Sequence, residues 1–284
     1  MRLVTIDDRG GRRAGIMTER GIVDLSLAWP AGPRSVLEIL QQGRLGELAK
    51  LDLSRLPPKA LLAADAPLWA PVARPGKIVC LGLNYRSHAS ENNLPLPQSP
   101  ILFSKPLTAL NGPRGTIEIP PGSQQVDWEV ELCVVIGRAA KQVTAEAAMD
   151  YVAGYTIMND VSARDWQFSS SQWYRGKSPD TFAPLGPALV TLDEAGDWHD
   201  LDLACRVNGE TVQSCRAEDM IFGVPEIVSF ASQGMTLEPG DLISTGTPSG
   251  VGACLKPPRF LKPGDVVECE ISRLGCLRNT VAAG

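Results

Sequence analysis

The chain has 284 residues, of which 44% are hydrophobic and 21% are charged. These fractions are near the globular averages of about 45–50% and 25%, which argues against a disordered or fibrous protein. The net charge of −5, without a basic stripe, argues against a nucleic-acid partner. The first residues lack the apolar core of a signal peptide, and no apolar run approaches the roughly 20 residues of a membrane span. The sequence therefore predicts a cytoplasmic protein with no membrane or nucleic-acid partner.

The first part of the chain predicts a small sheet and a helix. Residues 2–6, 13–17 and 21–25 form short, largely apolar segments separated by turns, and residues 36–48 have apolar side chains near helical spacing. Gly43 and Gly46 weaken the second half of that helix. Five prolines between residues 56 and 75 then leave few free backbone donors. We therefore predict a small N-terminal domain of residues 1–71 and a larger domain of residues 72–284.

The larger domain predicts strands separated by turns, and two helices interrupt them. The helices span about residues 144–151, with Thr144 as N-cap, and about residues 224–232, ending before Gly234. The sequence Leu-x-Pro-Gly-Asp occurs at 237–241 and 261–265, each time as a turn before a strand. The strand segments are KIVCLGL, ILFSKP, WEVELCVVIG, YVAGYTIMND, GPALVTL, LACRVNGE, DLISTG and DVVECEI. This order predicts a mixed, β-rich α+β fold.

Two carboxylates in one strand offer the first candidate site. In WEVELCVVIG, Glu129 and Glu131 are two residues apart and project from the same face of a strand. Adjacent carboxylates repel each other unless one is protonated or a cation lies between them, and oxygen ligands suit Mg²⁺, Mn²⁺ or Ca²⁺. The chain has two histidines and no C-x-x-C pair, so a metal would be held mainly by oxygen. The alternative is an ordinary solvent-facing strand edge.

A second polar segment follows the strand that ends in MND. Asp160 stands at the strand end, where it presents a carboxylate or merely caps the helical-looking SARDWQF. Arg164 and Gln167 lie four and seven residues further on. On a helix that begins at Asp160, both side chains would share one face and point to where a metal-bound anion would lie.

Four further side chains and one glycine-rich loop are also candidates for the site. His88 and Glu91 have i, i+3 spacing, so on a helical turn the carboxylate would orient the imidazole as a base; the alternative is a surface ion pair. Lys105 and Lys177 are polar residues near predicted turns, and most lysines in such places are simply solvated. Residues 246–252, GTPSGVG, are rich in glycine but lack the G-K-[ST] ending of a phosphate loop.

Taken together, six segments resemble the fumarylacetoacetate hydrolase superfamily. They are NYRSHASE, FSKP, VDWEVELCVVIG, GYTIMNDVSARD, RGKSPDTFAPLGP and LEPGDLISTGTPSGVG, in this order over about 200 residues. The resemblance covers residues 77 to the C-terminus, and the first 70 residues resemble the small N-terminal domain of many members. It implies a β-roll with a central sandwich, a homodimer, and one divalent cation.

The resemblance also assigns roles to the candidate residues. Glu129, Glu131 and Asp160 match the metal ligands, with Mg²⁺ expected and Mn²⁺ or Ca²⁺ as alternatives. Positions that line the substrate site are matched by Arg164, Gln167, Lys177, Lys105 and Thr247. His88 and Glu91 match a His-x-x-Glu dyad on a lid segment of the smaller, acylpyruvase-like members, although larger relatives supply the glutamate from elsewhere.

The activity implied is hydrolysis of a carbon–carbon bond in a 2,4-dioxo acid of the acylpyruvate type, in aromatic or sugar-acid catabolism. His88, oriented by Glu91, would activate water, and Lys177 would help stabilise the pyruvate enolate. The products would be pyruvate and a carboxylic acid. The alternatives are an isomerase or decarboxylase of a 2-hydroxymuconate-type product, a ureidoglycolate lyase and a calcium-stabilised binding module. The module is disfavoured because a structural ion site needs neither His88 nor Lys177.

Overall fold

The structure, a computed structural model, describes residues 1–53 and 56–284. No helix within these ranges is long and apolar enough to cross a membrane. The first strands are β1 (Arg2–Asp8), β2 (Gly11–Thr18), β3 (Gly21–Asp24), β4 (Leu61–Leu62), β5 (Leu68–Trp69), β6 (Ile78–Gly82), β7 (Ile101–Lys105), β8 (Leu110–Asn111), β9 (Ile117–Ile119) and β10 (Val126–Asp127). The later strands are β11 (Val130–Ile136), β12 (Val152–Asn159), β13 (Ser162–Ala163), β14 (Ala183–Thr191), β15 (Asp202–Val207), β16 (Glu210–Arg216), β17 (Leu242–Ser244), β18 (Val266–Ile271) and β19 (Gly275–Ala283). The helices are α1 (Leu25–Ala28), α2 (Val36–Gln41), α3 (Leu45–Leu48), α4 (Arg86–Glu91), α5 (Arg164–Gln167), α6 (Tyr174–Lys177), α7 (Leu192–Ala195) and α8 (Val224–Gly234).

One large sheet of 12 strands contains both the N-terminal strands and strands of the larger predicted domain. Its strand order is β4-β3-β2-β1-β14-β12-β11-β17-β6-β7, with β5 beside β1 and β8 beside β14. The first strands join the rest through the antiparallel pair β1–β14, in which Leu3 lies opposite Leu189. The N-terminal strands thus continue the sheet of the larger part of the chain, and the division at residue 72 stays a prediction.

A second sheet packs against the middle of the first and completes a β-sandwich. Its strand order is β16-β15-β18-β19-β9. Leu132 and Val134 of β11 belong to the same hydrophobic cluster as Leu203 of β15 and Val267 of β18. The intervening residue Cys133 faces a second cluster on the other side of the sheet. Because β11 is buried on both faces, it is a rigid support for side chains at its ends. The predicted β-rich α+β class with a sandwich is confirmed.

The helices show where sequence periodicity succeeded and failed. The predicted C-terminal helix is confirmed as α8, and both Leu-x-Pro-Gly-Asp turns precede strands, β17 and β18. The helix predicted over 36–48 is split into α2 and α3 around Gly43. The α-helix predicted from Thr144 was wrong, since only a 3₁₀ turn at Ala148–Tyr151 forms before the chain enters β12. Strands β16 and β19 were not predicted, because many of their side chains are polar and half-exposed or exposed.

Candidate active site

A single cavity of about 400 Å³ collects most of the predicted site residues. The predicted residues on its wall are His88, Glu129, Glu131, Arg164, Gln167, Lys177 and Thr247. Glu91, Lys105 and Asp160 do not line this cavity. Glu91 is hydrogen-bonded to the lining residue His88, and Asp160 is hydrogen-bonded to the lining residue Lys177. Lys105 is hydrogen-bonded to Asp160. Segments that are far apart in the sequence therefore converge on one place.

The pairing of β11 with β12 brings the three carboxylates together. Val130 lies opposite Asn159 in this antiparallel pair, so Glu129 and Asp160 meet at the strand ends. The Asp160 N–H donates to the Glu129 carbonyl over 2.9 Å. Glu129, Glu131 and Asp160 each offer an oxygen, and these oxygens lie within 4.8 Å of one another. The predicted triad is thus assembled by ordinary strand register.

Three buried cations surround the triad. Lys177 Nζ donates to Glu129 Oε2 and to Asp160 Oδ2, both over 2.7 Å. Lys105 Nζ lies 2.5 Å from Asp160 Oδ1 and also donates to the Val161 carbonyl over 3.1 Å. Arg164 Nη2 lies 2.7 Å from Glu129 Oε1. Each cation stabilises a carboxylate that burial would otherwise disfavour.

The carboxylates differ sharply in their electrostatic surroundings. Burial alone raises the pKa of Glu129, but Lys177 and Arg164 outweigh it and lower this pKa to about 2. Burial, followed by the negative charges of Asp160 and Glu129, raises the pKa of Glu131 well above its ordinary value. Burial favours a neutral Lys177, but Asp160 and Glu129 outweigh it and raise the pKa of its ammonium group. Among the described residues, Glu131 is therefore the carboxylate of the triad that forms no ion pair with a lysine or arginine.

This imbalance fits a bound divalent cation. Within the described residues, the cluster contains four buried carboxylates and three buried cations, which leaves one negative charge in excess when all seven groups are ionised. The carboxylates are Asp127, Glu129, Glu131 and Asp160, and the cations are Lys105, Arg164 and Lys177. Glu131 Oε2 accepts only neutral donors in the part of the chain that the structure describes, the Ser244 hydroxyl at 2.5 Å and the Gly246 N–H at 3.0 Å. Hard carboxylate oxygens are the ligands that Mg²⁺ and Mn²⁺ prefer. Glu129, Glu131 and Asp160 would hold such an ion.

The His88–Glu91 dyad lies on the short helix α4 at the edge of the cavity. His88 Nδ1 is 2.6 Å from Glu91 Oε1, and Glu91 Oε2 accepts the Gly250 N–H over 2.9 Å. With Nδ1–H donating to the carboxylate, Nε2 is left as the proton-accepting atom. The predicted i, i+3 geometry is present, and its carboxylate is fixed by a second segment of the chain.

Distant residues hold α4 in place. The Asp219 carboxylate accepts the Ser87 N–H over 2.9 Å and the Ser87 hydroxyl over 2.6 Å. Asn84 Nδ2 donates to the carbonyls of Phe222 and Thr245, over 3.1 and 2.8 Å. The segments at 217–223 and 245–250 therefore fix the orientation of the dyad.

The sequence analysis missed several residues that contact the candidate site. Asp127 accepts Arg164 Nε over 2.9 Å and the Gly252 N–H over 2.7 Å, so it ties the arginine to the glycine-rich loop. The sequence did hold a signal for Asp127, because this residue precedes Glu129 by two positions in the same motif. Gly246 has φ of +94°, a conformation that favours glycine and aims its N–H at Glu131. Ser244 and Asp219 carried no local signal.

Three predicted substrate contacts have different surroundings in the structure. The Lys105 side chain is fully buried behind Asp160, where it donates to that carboxylate. The Thr247 hydroxyl lines the cavity but already donates to the Val130 carbonyl and accepts from Gln213 Nε2, both over 2.9 Å. Gln167 Oε1 accepts Arg164 Nη1 over 3.0 Å, which leaves its amide nitrogen for a ligand. The Lys105 ammonium thus supports Asp160 from behind, and its contact with substrate stays a prediction.

Several known proteins are similar to this chain in both sequence and fold. Residues 77–282 match the family model described as fumarylacetoacetate (FAA) hydrolase C-terminal. A mitochondrial oxaloacetate tautomerase, FAHD2A of Bos taurus, is 49% identical over 92% of this chain and 84% of its own length. A putative HpcE protein from Mycobacterium smegmatis superposes with a TM-score of 0.90 at 37% identity, over 100% of each chain. Maleylpyruvate hydrolase from Sphingobium sp. SYK-6, solved with manganese(II) and pyruvate, gives a TM-score of 0.82 at 31% identity, over 100% of each chain. The chain belongs to the fumarylacetoacetate hydrolase family.

Proposed function

We propose that this protein is a divalent-metal-dependent tautomerase, which interconverts the enol and keto forms of a short 2-oxo acid such as oxaloacetate. The observation that carries the proposal is a metal-ligand triad and a proton-transfer dyad that meet at one cavity. The identity of 49% to a protein named as an oxaloacetate tautomerase supports the substrate class. The reaction moves a proton between the enol oxygen and the third carbon, and it needs no water or redox partner.

The dyad would carry the proton. His88 Nε2 takes a proton from the third carbon of the keto form and returns one to the oxygen at the second carbon. Glu91 holds Nδ1–H over 2.6 Å, so the positive imidazolium formed in between is stabilised by a fixed carboxylate. The Gly250 N–H prevents that carboxylate from turning away.

The inner end of the cavity would stabilise the charge that develops on the substrate. Glu129, Glu131 and Asp160 would hold a divalent cation there, and its positive charge would favour the enolate. Lys177 Nζ, which donates to Glu129 and Asp160, would add a second positive charge at this end. It would act as an electrostatic stabiliser of the developing negative charge. Arg164 and Gln167 line the same end and would orient the substrate carboxylate.

A direct assay tests this proposal. The enol form of oxaloacetate is added to protein with Mn²⁺ or Mg²⁺, and a keto-specific dehydrogenase reports the keto form as it appears. We expect the conversion to be accelerated, and chelation to abolish the acceleration. If the conversion ran at the uncatalysed rate with metal content verified, the tautomerase proposal would be rejected.

Hydrolysis of a 2,4-dioxo acid is the second candidate. The maleylpyruvate hydrolase neighbour favours it, and His88 is placed to activate water as readily as to move a carbon-bound proton. The two are separated by products, since only hydrolysis releases pyruvate and a second acid from an acylpyruvate. If the dyad activates water, Glu91→Gln should slow cleavage while exchange of the third-carbon protons into deuterated solvent persists. If the dyad carries the carbon-bound proton, as in the tautomerase, exchange should fall in the same variant. A decarboxylase would instead release CO₂.

The homodimer and the cytoplasmic location remain proposals. Light scattering on the purified protein would test the dimer. The related tautomerase is named as mitochondrial, so fractionation of cells that express this chain would decide the location.

A further inference from the structure

The cavity has two chemically different ends. Its inner end contains the charged groups of the triad and its cations, as described above. The rest of its wall is largely apolar, and several of these side chains reach the molecular surface: Leu94 is 50%, Ile101 is 40% and Phe168 is 67% exposed. Its apolar lining includes Leu94, Ile101, Phe103, Phe168 and Trp173.

An ordered aromatic pair connects the two ends. The Phe103 ring lies 5.1 Å from Lys177 Nζ, which fixes its inner side. The Trp173 ring meets Phe103 edge-on, with centroids 5.5 Å apart and planes inclined by 74°. The wall thus continues from the charged end toward the mouth as aromatic surface, a geometry that favours contact with another flat apolar group.

Size and charge both point to a substrate with an apolar arm. Cavities of about 300–1,000 Å³ typically enclose ligands much larger than a four-carbon acid, and this one has about 400 Å³. Within the described ranges, the permanently charged cations on its wall are Arg164 and Lys177. Both are already paired with Asp127, Glu129 or Asp160. A second carboxylate directed toward the mouth would lose water without gaining a cation, whereas an apolar group would be desolvated favourably.

We propose that the site also tautomerises 2-oxo acids whose third carbon carries an aryl group, with that group seated against Phe103, Trp173 and Leu94. This inference rests on the proposed tautomerase function, since the reaction is the same. The enol O–H bond breaks and a C–H bond forms at the third carbon, with His88 as the proton carrier, so no co-reactant is consumed.

Phenylpyruvate is the probe. The rate at which its enol disappears is measured beside that of oxaloacetate, with the same metal, in the wild type and in Leu94→Lys. We expect kcat/KM for phenylpyruvate to be at least equal to that for oxaloacetate. Because the loss of apolar contact in such a pocket is worth roughly tenfold or more, Leu94→Lys should lower the phenylpyruvate value about tenfold. The new cation should raise the oxaloacetate value. Leu107→Lys, a change at an apolar residue that is 40% exposed and outside the cavity wall, is the matched control and should alter neither.

The outcomes separate the two proposals. If oxaloacetate is converted and phenylpyruvate is neither converted nor a competitive inhibitor, the aryl inference is overturned and the tautomerase stands. If neither acid is converted, the tautomerase fails and the inference falls with it. Calorimetry gives a readout that is independent of turnover. Phenylpyruvate affinity that is unchanged by Leu94→Lys would show that the aryl group lies elsewhere and would also overturn the inference.

Discussion

The two halves of the candidate site are built in opposite ways. The carboxylate triad lies at the ends of β11 and β12, and its side chains are almost completely buried among Lys105, Arg164 and Lys177. The His88–Glu91 dyad lies on a six-residue helix, with side chains 15% and 19% exposed, and depends on contacts from remote loops. The triad is thus part of the core, whereas the dyad is attached to it.

This difference predicts two kinds of functional damage. A change in the triad removes a partner from buried opposite charges, so it should affect metal affinity and folding together. A change in the dyad or its anchors should affect proton transfer and leave the metal and the fold largely intact. The following experiments test that separation, beginning with the largest expected effect.

Asp160→Asn should affect every measured property of the triad. It removes the charge that pairs with both Lys105 and Lys177, at 2.5 and 2.7 Å. Breaking a buried pair in this way costs about 3–5 kcal/mol. We expect turnover to be lost, Mn²⁺ affinity by calorimetry to fall, and the free energy of unfolding in denaturant to decrease by that amount. Asp165→Asn, on neighbouring α5, is the matched control. Retained Mn²⁺ affinity in Asp160→Asn would contradict its assignment as a ligand.

His88→Ala should affect turnover alone. A positioned proton-transfer group contributes about 10²–10⁴ in rate, so we expect a loss of that size with unchanged Mn²⁺ affinity and an unchanged melting temperature. The second histidine offers the control, since His199 is 55% exposed and pairs with Asp197 away from the cavity. His199→Ala should behave as the wild type. Loss of the metal in His88→Ala would make the imidazole a ligand.

The same difference explains how much of the site could be predicted from sequence. The spacing of Glu129 and Glu131 and the position of Asp160 at a strand end are local facts, and strand register converts them into a cluster. The i, i+3 spacing of His88 and Glu91 is also local. Contacts between residues more than 100 positions apart, such as Ser244 with Glu131, left no such signal.

The fold, too, could be predicted from sequence only where the signal was local. Apolar strands such as β11 and β12 could be located by their composition, and the overall β-rich class followed. The half-polar strands β16 and β19 could not, because their identity depends on which neighbour they pair with. The resemblance to a family supplied the association between distant motifs that local physics could not supply.

Asp219→Ala tests whether remote anchoring of the dyad contributes to catalysis. The substitution removes two hydrogen bonds to Ser87 at the start of α4. Loss of such a cap costs about 0.5–2 kcal/mol, or roughly 2- to 30-fold in the population of the ordered helix. We expect kcat to fall within that range, with Mn²⁺ affinity unchanged. Asp202→Ala, where the side chain is 70% exposed, is the control. Equal losses in the two variants would show that Asp219 has no special role.

Cys254 provides the smallest and most local test of the same attachment. The Cys254 thiol donates over 3.3 Å to Oδ1 of Asn92, the residue directly after α4. Cys254 also lines the cavity. Burial, followed by the charge of Glu91, raises the pKa of Cys254 to about 11. Because the thiolate is the reactive form, alkylation by iodoacetamide should remain slow at pH 7.5 and rise about tenfold per pH unit through pH 9.5. An ordinary thiol, with a pKa near 8.5, levels off within that interval. Peptide mass spectrometry gives the rate at this residue, with a free peptide thiol as reference.

In Asp219→Ala, a loosened α4 would admit water to Cys254, and the pH profile of alkylation should shift toward that of the reference. An early plateau in the wild type would mean that α4 already separates in solution from the loop that contains Cys254. The dyad would then be held less firmly than the structure indicates, and its contrast with the core triad would be greater.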